Sequence, residues 1–504
     1  MKGIKKILAL ALAMVMAFGL TATNVFAAKI ITGDLTITDS RADRTYVAYQ
    51  IIKGEVVGEE GNAENPLKLS NMKWGNGQKT KTANNALTED EIAALPASNA
   101  TRAVIDAYLS GIALSDSPSY TATKVEGGYK FDDIAAGWYV VKETTDTNGK
   151  DDFTSAFIVE VVGDATAQPK GSKTTVEKKV DDKNDSDSAD GLNWLEKDSA
   201  DYDIGDEITY TLKATIGNDL TDYTKYKLVF TDNLSEGLTY DSLVSVTIDG
   251  TQKSTSIVKV ADGTYSGATG AYEEGTVKTF TIDDVLKEGA KAGSIIVIKY
   301  KAVLNANAVV GSAGNPNKVY LEYSNNPDVD TEFGKTPEDK VIVFTYKLIV
   351  NKTDANNNAL KGAGFTLYKY SLTDKDYVAV GSELKGTDMT TFTWSGVDDG
   401  KYKLVETTTP DGYNTIDPIE FIVSAGHSEE ADDPVLTNLT GNKEDGTVVF
   451  NKTAGSDLET NVVNNAGSVL PSTGGIGTTI FYAIGSVLVV GAGVLLISKK
   501  RMFN

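Results

Sequence analysis

The sequence predicts a mainly β chain of tandem Ig-like β-sandwiches, with a short helix in the first. Three observations predict it. Alternating apolar and polar residues recur in short runs such as DEITYTLKATI, SIIVIKYKAVL and YKLIVNKTD, the period at which one face of a strand is buried. The chain has 47 glycines, and Thr, Asn and Asp join them as turn signals between the runs. Helical spacing is confined to one region, where Thr88-Glu89-Asp90-Glu91 makes a capping box ahead of IAAL and RAVIDAYLSGI follows.

Composition narrows the chemistry. The 504 residues include no cysteine and one histidine, His427. Disulfides, thiolate nucleophiles and Cys-bound metals are excluded. His427 lies in the polar run AGHSEEADD and reads as a solvated loop residue. No metal and no cofactor are expected. Acidic residues number 70 against 48 basic, a net charge of −22, which argues against a nucleic-acid partner.

The two ends read as addresses. Residues 1–27 have the form of a signal peptide: Lys2, Lys5 and Lys6, then the apolar run Ile7 to Leu20, then Val25-Phe26-Ala27 with small residues at the −3 and −1 positions of a cut. Residues 470–504 begin Leu470-Pro471-Ser472-Thr473-Gly474, continue as an apolar stretch from Ile476 to Ile497 and end in the basic Lys499-Lys500-Arg501. That stretch is long enough to cross a bilayer, and the basic tail stays inside. The arrangement resembles the sorting signal of Gram-positive surface proteins. It implies that a membrane sortase cuts between Thr473 and Gly474 and passes the Thr473 carbonyl to an amine. Pro471 fixes its own φ and biases Leu470 to an extended form that suits such a groove. Removing both ends takes six basic and no acidic residues, so the mature chain carries −28. It is then a soluble, self-repelling surface chain.

Three segments remain. Residues 28–168 open with ITGDLTIT and VAYQII, contain the helical region, and close with GWYVVKET and AFIVEVV. Residues 171–344 are almost wholly strand-like, and residues 345–467 repeat the theme with GAGFTLYKY, KYKLVET, IEFIV and TVVFN.

Certain polar residues fall on the core-seeking face of these strands. Lys178 is in register with Val176 and Val180, Asp232 with Leu228 and Phe230, and Asn317 with Val319, Leu321 and Tyr323. The third segment does the same with Lys352 beside Leu348 and Val350, Glu406 beside Tyr402 and Leu404, and Asn464 beside Val462. A buried ammonium tends to lose its proton and a buried carboxylate to gain one. A neutral lysine amine held against an asparagine carbonyl can attack it, with the acid moving protons. The product is a Lys–Asn amide plus ammonia. Alternation alone also allows a strand-end lysine that reaches water.

The run Tyr402-Lys-Leu404-Val-Glu406-Thr-Thr-Thr-Pro410-Asp-Gly412-Tyr413 resembles the E-box of Gram-positive pilins and of collagen-adhesin B-type domains, with Thr409 where Ala is usual. LIVNKTD followed by LKGAGFTLYKY resembles the start of the same domain. GDEITYTL, TDNLSEGLTYD and GNPNKVYLEYSNNP look like the isopeptide-forming second domain of fimbrial backbone subunits. The resemblance implies bonds Lys178–Asn317, assisted by Asp232, and Lys352–Asn464, assisted by Glu406. Lys179, Asn315, Asn461 and Asn465 are the neighbouring alternatives; alternation disfavours all but Asn315. The first segment has no comparable lysine, and no such bond is expected there.

In such pilins a lysine at the first domain boundary resolves the sortase acyl-enzyme. Gln168-Pro169-Lys170-Gly171 follows the strand from Phe157 to Val162, so Lys170 is the implied residue, with Lys173 as the alternative. Pro169 ends ladder pairing there and favours an exposed Lys170.

Two further signals are weak. Asp185 to Glu196 has the length of a calcium loop, but Ala189 and Asp190 break the pattern. Asp132-Asp133, Asp283-Asp284 and Asp398-Asp399 are neighbours in turn-like contexts, not glycosidase carboxylates held across a cleft.

The resemblance implies the shaft subunit of a sortase-assembled pilus, exported and anchored to peptidoglycan, not an enzyme. Its partners would be a pilin-type sortase, identical subunits in a covalent polymer, and tip and base pilins. The alternative is a monomeric wall-anchored adhesin that binds host matrix or glycan.

Overall fold

The computed structural model describes residues 31–96, 102–169, 171–183, 186, 195–265 and 275–467. Residues 1–27, Lys170, most of the 185–196 segment and the sorting motif at 470–474 lie outside them.

The first part packs a four-stranded sheet against a five-stranded one. Thr32–Thr38 is central to the former and Tyr46–Val57 to the latter. Leu35, Ile37, Phe131, Tyr139 and Val141 fill the space between them. The strand Gly137–Glu143 is buried at almost every position. Tyr139 and Val141 face the other sheet, while Trp138 and Val140 face a second core with Ile105 of the helix Arg102–Leu109. A strand covered on both faces reads as a continuous apolar run, which explains GWYVV. The helical region holds two helices among the described residues, Glu89–Ala93 and Arg102–Leu109. The Thr88 capping box forms: Glu91 N donates to Thr88 Oγ1 at 3.2 Å and Thr88 N to the Glu91 carboxylate at 3.0 Å.

The second part is a sandwich of a six-stranded and a seven-stranded sheet. The first runs Leu195–Lys197, Thr175–Asp182, Glu207–Thr215, Ile295–Leu304, Leu238–Ile248 and Thr251–Lys253. The second has Asn315–Ser324 between Asp339–Phe344 and Leu228–Leu234. Tyr210, Leu212, Phe230, Phe280, Ile298, Tyr300, Val319 and Leu321 are among the core residues they enclose.

In the third part Tyr346–Asp354 lies between Thr391–Val397 and the final strand Leu458–Asn464, to which it runs parallel. Phe365, Phe392, Tyr402, Leu404, Phe421 and Phe450 make its core.

The second and third parts are closely joined. Asp198 N donates to Glu429 O at 2.7 Å and Ile204 N to Gly396 O at 2.9 Å. Gly396 has φ +81°, and a Cβ there would lie 2.3 Å from Ile204 Cδ1, so only glycine admits this approach. Lys369 reaches Asp398 and, at 2.7 Å, Asp203 across the junction.

Two buried lysine–acid–asparagine sites

In the second sandwich, Lys178, Asp232 and Asn317 are each 0% exposed. Lys178 comes from one sheet; Asp232 and Asn317 come from the facing sheet. Asp232 pairs with Val319 and Leu234 with Asn317, so the acid and the amide project from one face of neighbouring strands. Lys178 Nζ is hydrogen-bonded to Asp232 Oδ2. It also donates to the Tyr300 hydroxyl at 2.9 Å, and Asn317 Nδ2 donates to the same oxygen at 2.7 Å. Tyr300 in turn donates to Asp232 Oδ1 at 3.0 Å. The lysine amine and the asparagine amide therefore meet at one hydroxyl beside one carboxyl group.

The surroundings are apolar and aromatic. Tyr210 and Tyr300 stack with ring centroids 5.3 Å apart, and Lys178 Nζ lies 5.0 Å from the Tyr210 ring. Burial lowers the proton affinity of Lys178 and raises that of Asp232. Both directions favour an uncharged pair, a free amine beside a carboxylic acid. Asn317 Oδ1 is buried without a hydrogen bond, so the carbonyl is open to a proton donor.

Alternation is informative about the neighbours. Lys179 points away and ion-pairs with Asp198 at 2.5 Å. Asn315 is buried, but its amide is occupied by the Val309 backbone at 2.8 and 3.0 Å and by Val343 O at 3.2 Å.

In the third part Lys352 and Asn464 are 0% exposed and Glu406 is 4% exposed. The parallel register sets Lys352 beside Val462 and Asp354 beside Asn464. Lys352 Nζ donates to Val462 O at 2.9 Å and Thr353 O at 3.1 Å, and burial lowers its proton affinity. Asn464 Nδ2 donates to both Glu406 oxygens at 2.9 and 3.1 Å. The E-box loop holds that acid in place. Pro410 O accepts from Tyr413 N, Asn414 N donates to Asn465 O beside the last strand, and Ile416 N donates to Glu406 Oε2 at 3.1 Å. Gly412 takes φ +82° in this turn. Tyr402 and Leu404 are buried in the core from the same strand, and the Tyr402 hydroxyl donates to Asp398 O at 3.0 Å. Asn461 and Asn465 are exposed on the opposite face.

Two residues read differently from the sequence. Tyr300 is not marked by the lysine–acid–asparagine pattern, although it shares the apolar face of Ile296, Ile298 and Ala302. A hydroxyl on a core-facing position is the signal that marks it. His427 is not a solvated loop residue. It ends the strand Ile419–His427, its side chain is 6% exposed, and Nδ1 lies 2.7 Å from Ser199 Oγ of the second sandwich. The polar run around it hides a contact made with a strand far away in sequence.

The chain is a series of β-sandwiches followed in sequence by a match to a cell wall anchor motif. More narrowly, parts of the chain match domains described from Gram-positive pilins and surface proteins. Residues 204–327 match the family model described as Gram-positive pilin backbone subunit 2, Cna-B-like domain. Residues 346–433 match a prealbumin-like fold domain, and residues 462–502 match the LPXTG cell wall anchor motif. The Trypsin-resistant surface T6 protein of Streptococcus pyogenes is 28% identical over 362 residues, 59% of this chain and 65% of that protein. Fimbrial subunit type 1 of Actinomyces viscosus is 24% identical over 59% of this chain and 61% of its own length. The matched region thus spans less than two thirds of each relative. The solved T6 backbone pilin of serotype M6 Streptococcus pyogenes aligns with a TM-score of 0.51 at 18% identity, covering 87% of this chain and 99% of that one, and it shares the fold.

Proposed function

We propose that this chain is the repeating shaft subunit of a cell-surface pilus, built from units at 28–168, 171–344 and 345–467. A pilin-type sortase joins Thr473 of one subunit to Lys170 of the next, and the polymer is anchored to peptidoglycan. Two intramolecular amides, Lys178–Asn317 and Lys352–Asn464, stabilise each subunit.

The observation that carries the reading is the shared hydroxyl of Tyr300, with Lys178, Asp232 and Asn317 fully buried around it. In the first amide, Lys178 Nζ attacks Asn317 Cγ. The new C–N bond forms, the Cγ–Nδ2 bond breaks, and ammonia leaves with the proton that Nζ gives up through Asp232. Fixed placement of two reactants contributes up to about 7–11 kcal/mol in well-oriented cases. The reaction removes a buried amine that would otherwise need a partner. The final strand supplies Asn464, and Thr473 follows it nine residues later in sequence.

Intact mass of the secreted chain tests the amides. Two ammonia masses below the sequence mass are expected, with peptide mapping to the two named pairs. A mass equal to the plain sequence overturns the assignment. The polymer is tested separately: Lys170→Ala abolishes high-mass ladders in denaturing gels of wall extracts, whereas persistence of ladders moves the joint to another lysine such as Lys173, which pairs with Asp151 at 2.9 Å.

A further inference from the structure

Three groups from the second and third sandwiches converge near their junction. Asp182 ends the strand Thr175–Asp182, Asp201 ends Ser199–Asp201, and His427 ends Ile419–His427. Each offers one ligand atom, and these atoms all lie within 4.8 Å of one another. Proximity of carboxylates alone carries little weight. The hydrogen bonding around His427 adds an independent constraint.

Ser199 Oγ donates to Ser428 O at 2.6 Å. A hydroxyl has one proton, so the 2.7 Å contact between Ser199 Oγ and His427 Nδ1 has Nδ1–H as its donor. In the neutral ring, Nε2 then bears the lone pair. Nε2 faces Asp201 Oδ1 at 4.0 Å, with side-chain exposures of 6% and 5%. Nε2 and Oδ1 thus oppose each other across a gap too wide for a hydrogen bond. Asp201 Oδ2 is also buried with no donor at full hydrogen-bonding geometry, and the carboxyl group interacts with the buried Tyr346 hydroxyl. Asp182 keeps one oxygen free of lysine, because Lys197 pairs with its Oδ2 at 3.0 Å and with Glu429 at 2.8 Å.

This arrangement leaves room for a cation between the groups. We propose that Asp182, Asp201 and His427 bind a divalent transition cation of the zinc class across the junction of the second and third sandwiches. Zinc takes His nitrogen and carboxylate oxygen at about 2.0–2.2 Å in a tetrahedron, which sets ligand atoms roughly 3.3 Å apart. The 4.0 Å gap reaches that spacing by a small closure. Two carboxylates balance the charge of the ion, and water completes four-coordination. Calcium fits poorly, since it takes six to eight oxygen ligands. Ser199 acts as the positioning residue: it fixes the tautomer that presents Nε2 to the ion.

The test uses chain 28–467, freed of metal with a chelator and titrated with Zn2+ by calorimetry and with Co2+ by absorbance. One equivalent of each is expected, with tetrahedral cobalt bands in the visible region. His427→Gln abolishes the cobalt bands. Ser199→Ala, which keeps all three ligands, weakens zinc binding by about 10–100-fold. Metal-free thermal unfolding shows that each variant is folded, and Asp182→Asn gives a second ligand loss if His427→Gln is not. No stoichiometric zinc binding, zinc binding unchanged in both ligand variants, or equal affinity for Ca2+ overturns the proposal.

Discussion

The role of Asp232 is open to a quantitative test by comparing two variants of one site. Asn317→Ala removes the acceptor and leaves Lys178 hydrogen-bonded to Asp232 and Tyr300. The expected loss is the cross-link alone. By the chain-entropy treatment used for disulfides, closing a loop of about 140 residues contributes roughly 5 kcal/mol. Asp232→Ala loses the cross-link as well, because nothing else receives the Lys178 proton. It also leaves a fully buried lysine amine without its carboxyl partner, which costs about 1–3 kcal/mol more. For a unit of this size each kcal/mol moves the midpoint by about 2–4 °C. Asn317→Ala should therefore unfold roughly 10–20 °C below the parent and Asp232→Ala lower still. Intact mass, read in parallel, should put each variant only one ammonia below its own sequence mass, the one lost in making the Lys352–Asn464 amide. An Asp232→Ala chain that loses both ammonias at the parental rate would refute the proton-transfer role. Equal midpoints for the two variants would refute the argument from the orphaned lysine.

Other outcomes follow from the same geometry. Tyr300→Phe removes the hydroxyl shared by Lys178, Asn317 and Asp232 and should slow the first ammonia loss by about 10²-fold, the effect of deleting one positioned donor; time-resolved mass of freshly folded protein reads the rate. Glu406→Ala should block only the second ammonia loss, since it removes the group that holds Asn464, and peptide mapping should find Lys178–Asn317 intact. Asp219 gives a pH dependence: burial raises its pKa to about 6 from 3.8. The folded state then binds the extra proton, so this residue's contribution to stability falls as pH rises from about 4 to 6. At pH 7 that is a deficit of up to about 3 kcal/mol, and Asp219→Asn should flatten this part of the stability–pH curve and raise the neutral-pH midpoint.

Much of both sites was legible because strand periodicity assigns a face to every residue. Lys178, Asp232, Asn317, Lys352, Glu406 and Asn464 all stand in register with core residues, and all are buried. The same rule turned Lys179, Asn461 and Asn465 outward. It could not separate Asn315 from Asn317, which share a face; the difference lies in hydrogen bonds to Val309 and Val343 that only the folded loop creates. Tyr300 was missed because tyrosine is an ordinary core residue and its hydroxyl acquires meaning only from Lys178 across the sandwich. His427 was misread because local polarity says nothing about Ser199. In the first sandwich, alternation underestimates burial of Gly137–Glu143 because the helix Arg102–Leu109 covers the face that would otherwise be wet.

The parallel pairing of Tyr346–Asp354 with Leu458–Asn464 determines how tension would travel along a fibre of such subunits. A pull on Thr473 arrives through the last strand. With the Lys352–Asn464 amide formed, it passes straight into the first strand of the same sandwich and on to Phe344, bypassing every strand between. A Lys178–Asn317 amide would repeat the short circuit, returning the pull to a strand that begins a few residues after Lys170. Most of the chain would then hang as slack outside a continuous covalent spine, and elongation under load would be confined to the short connectors.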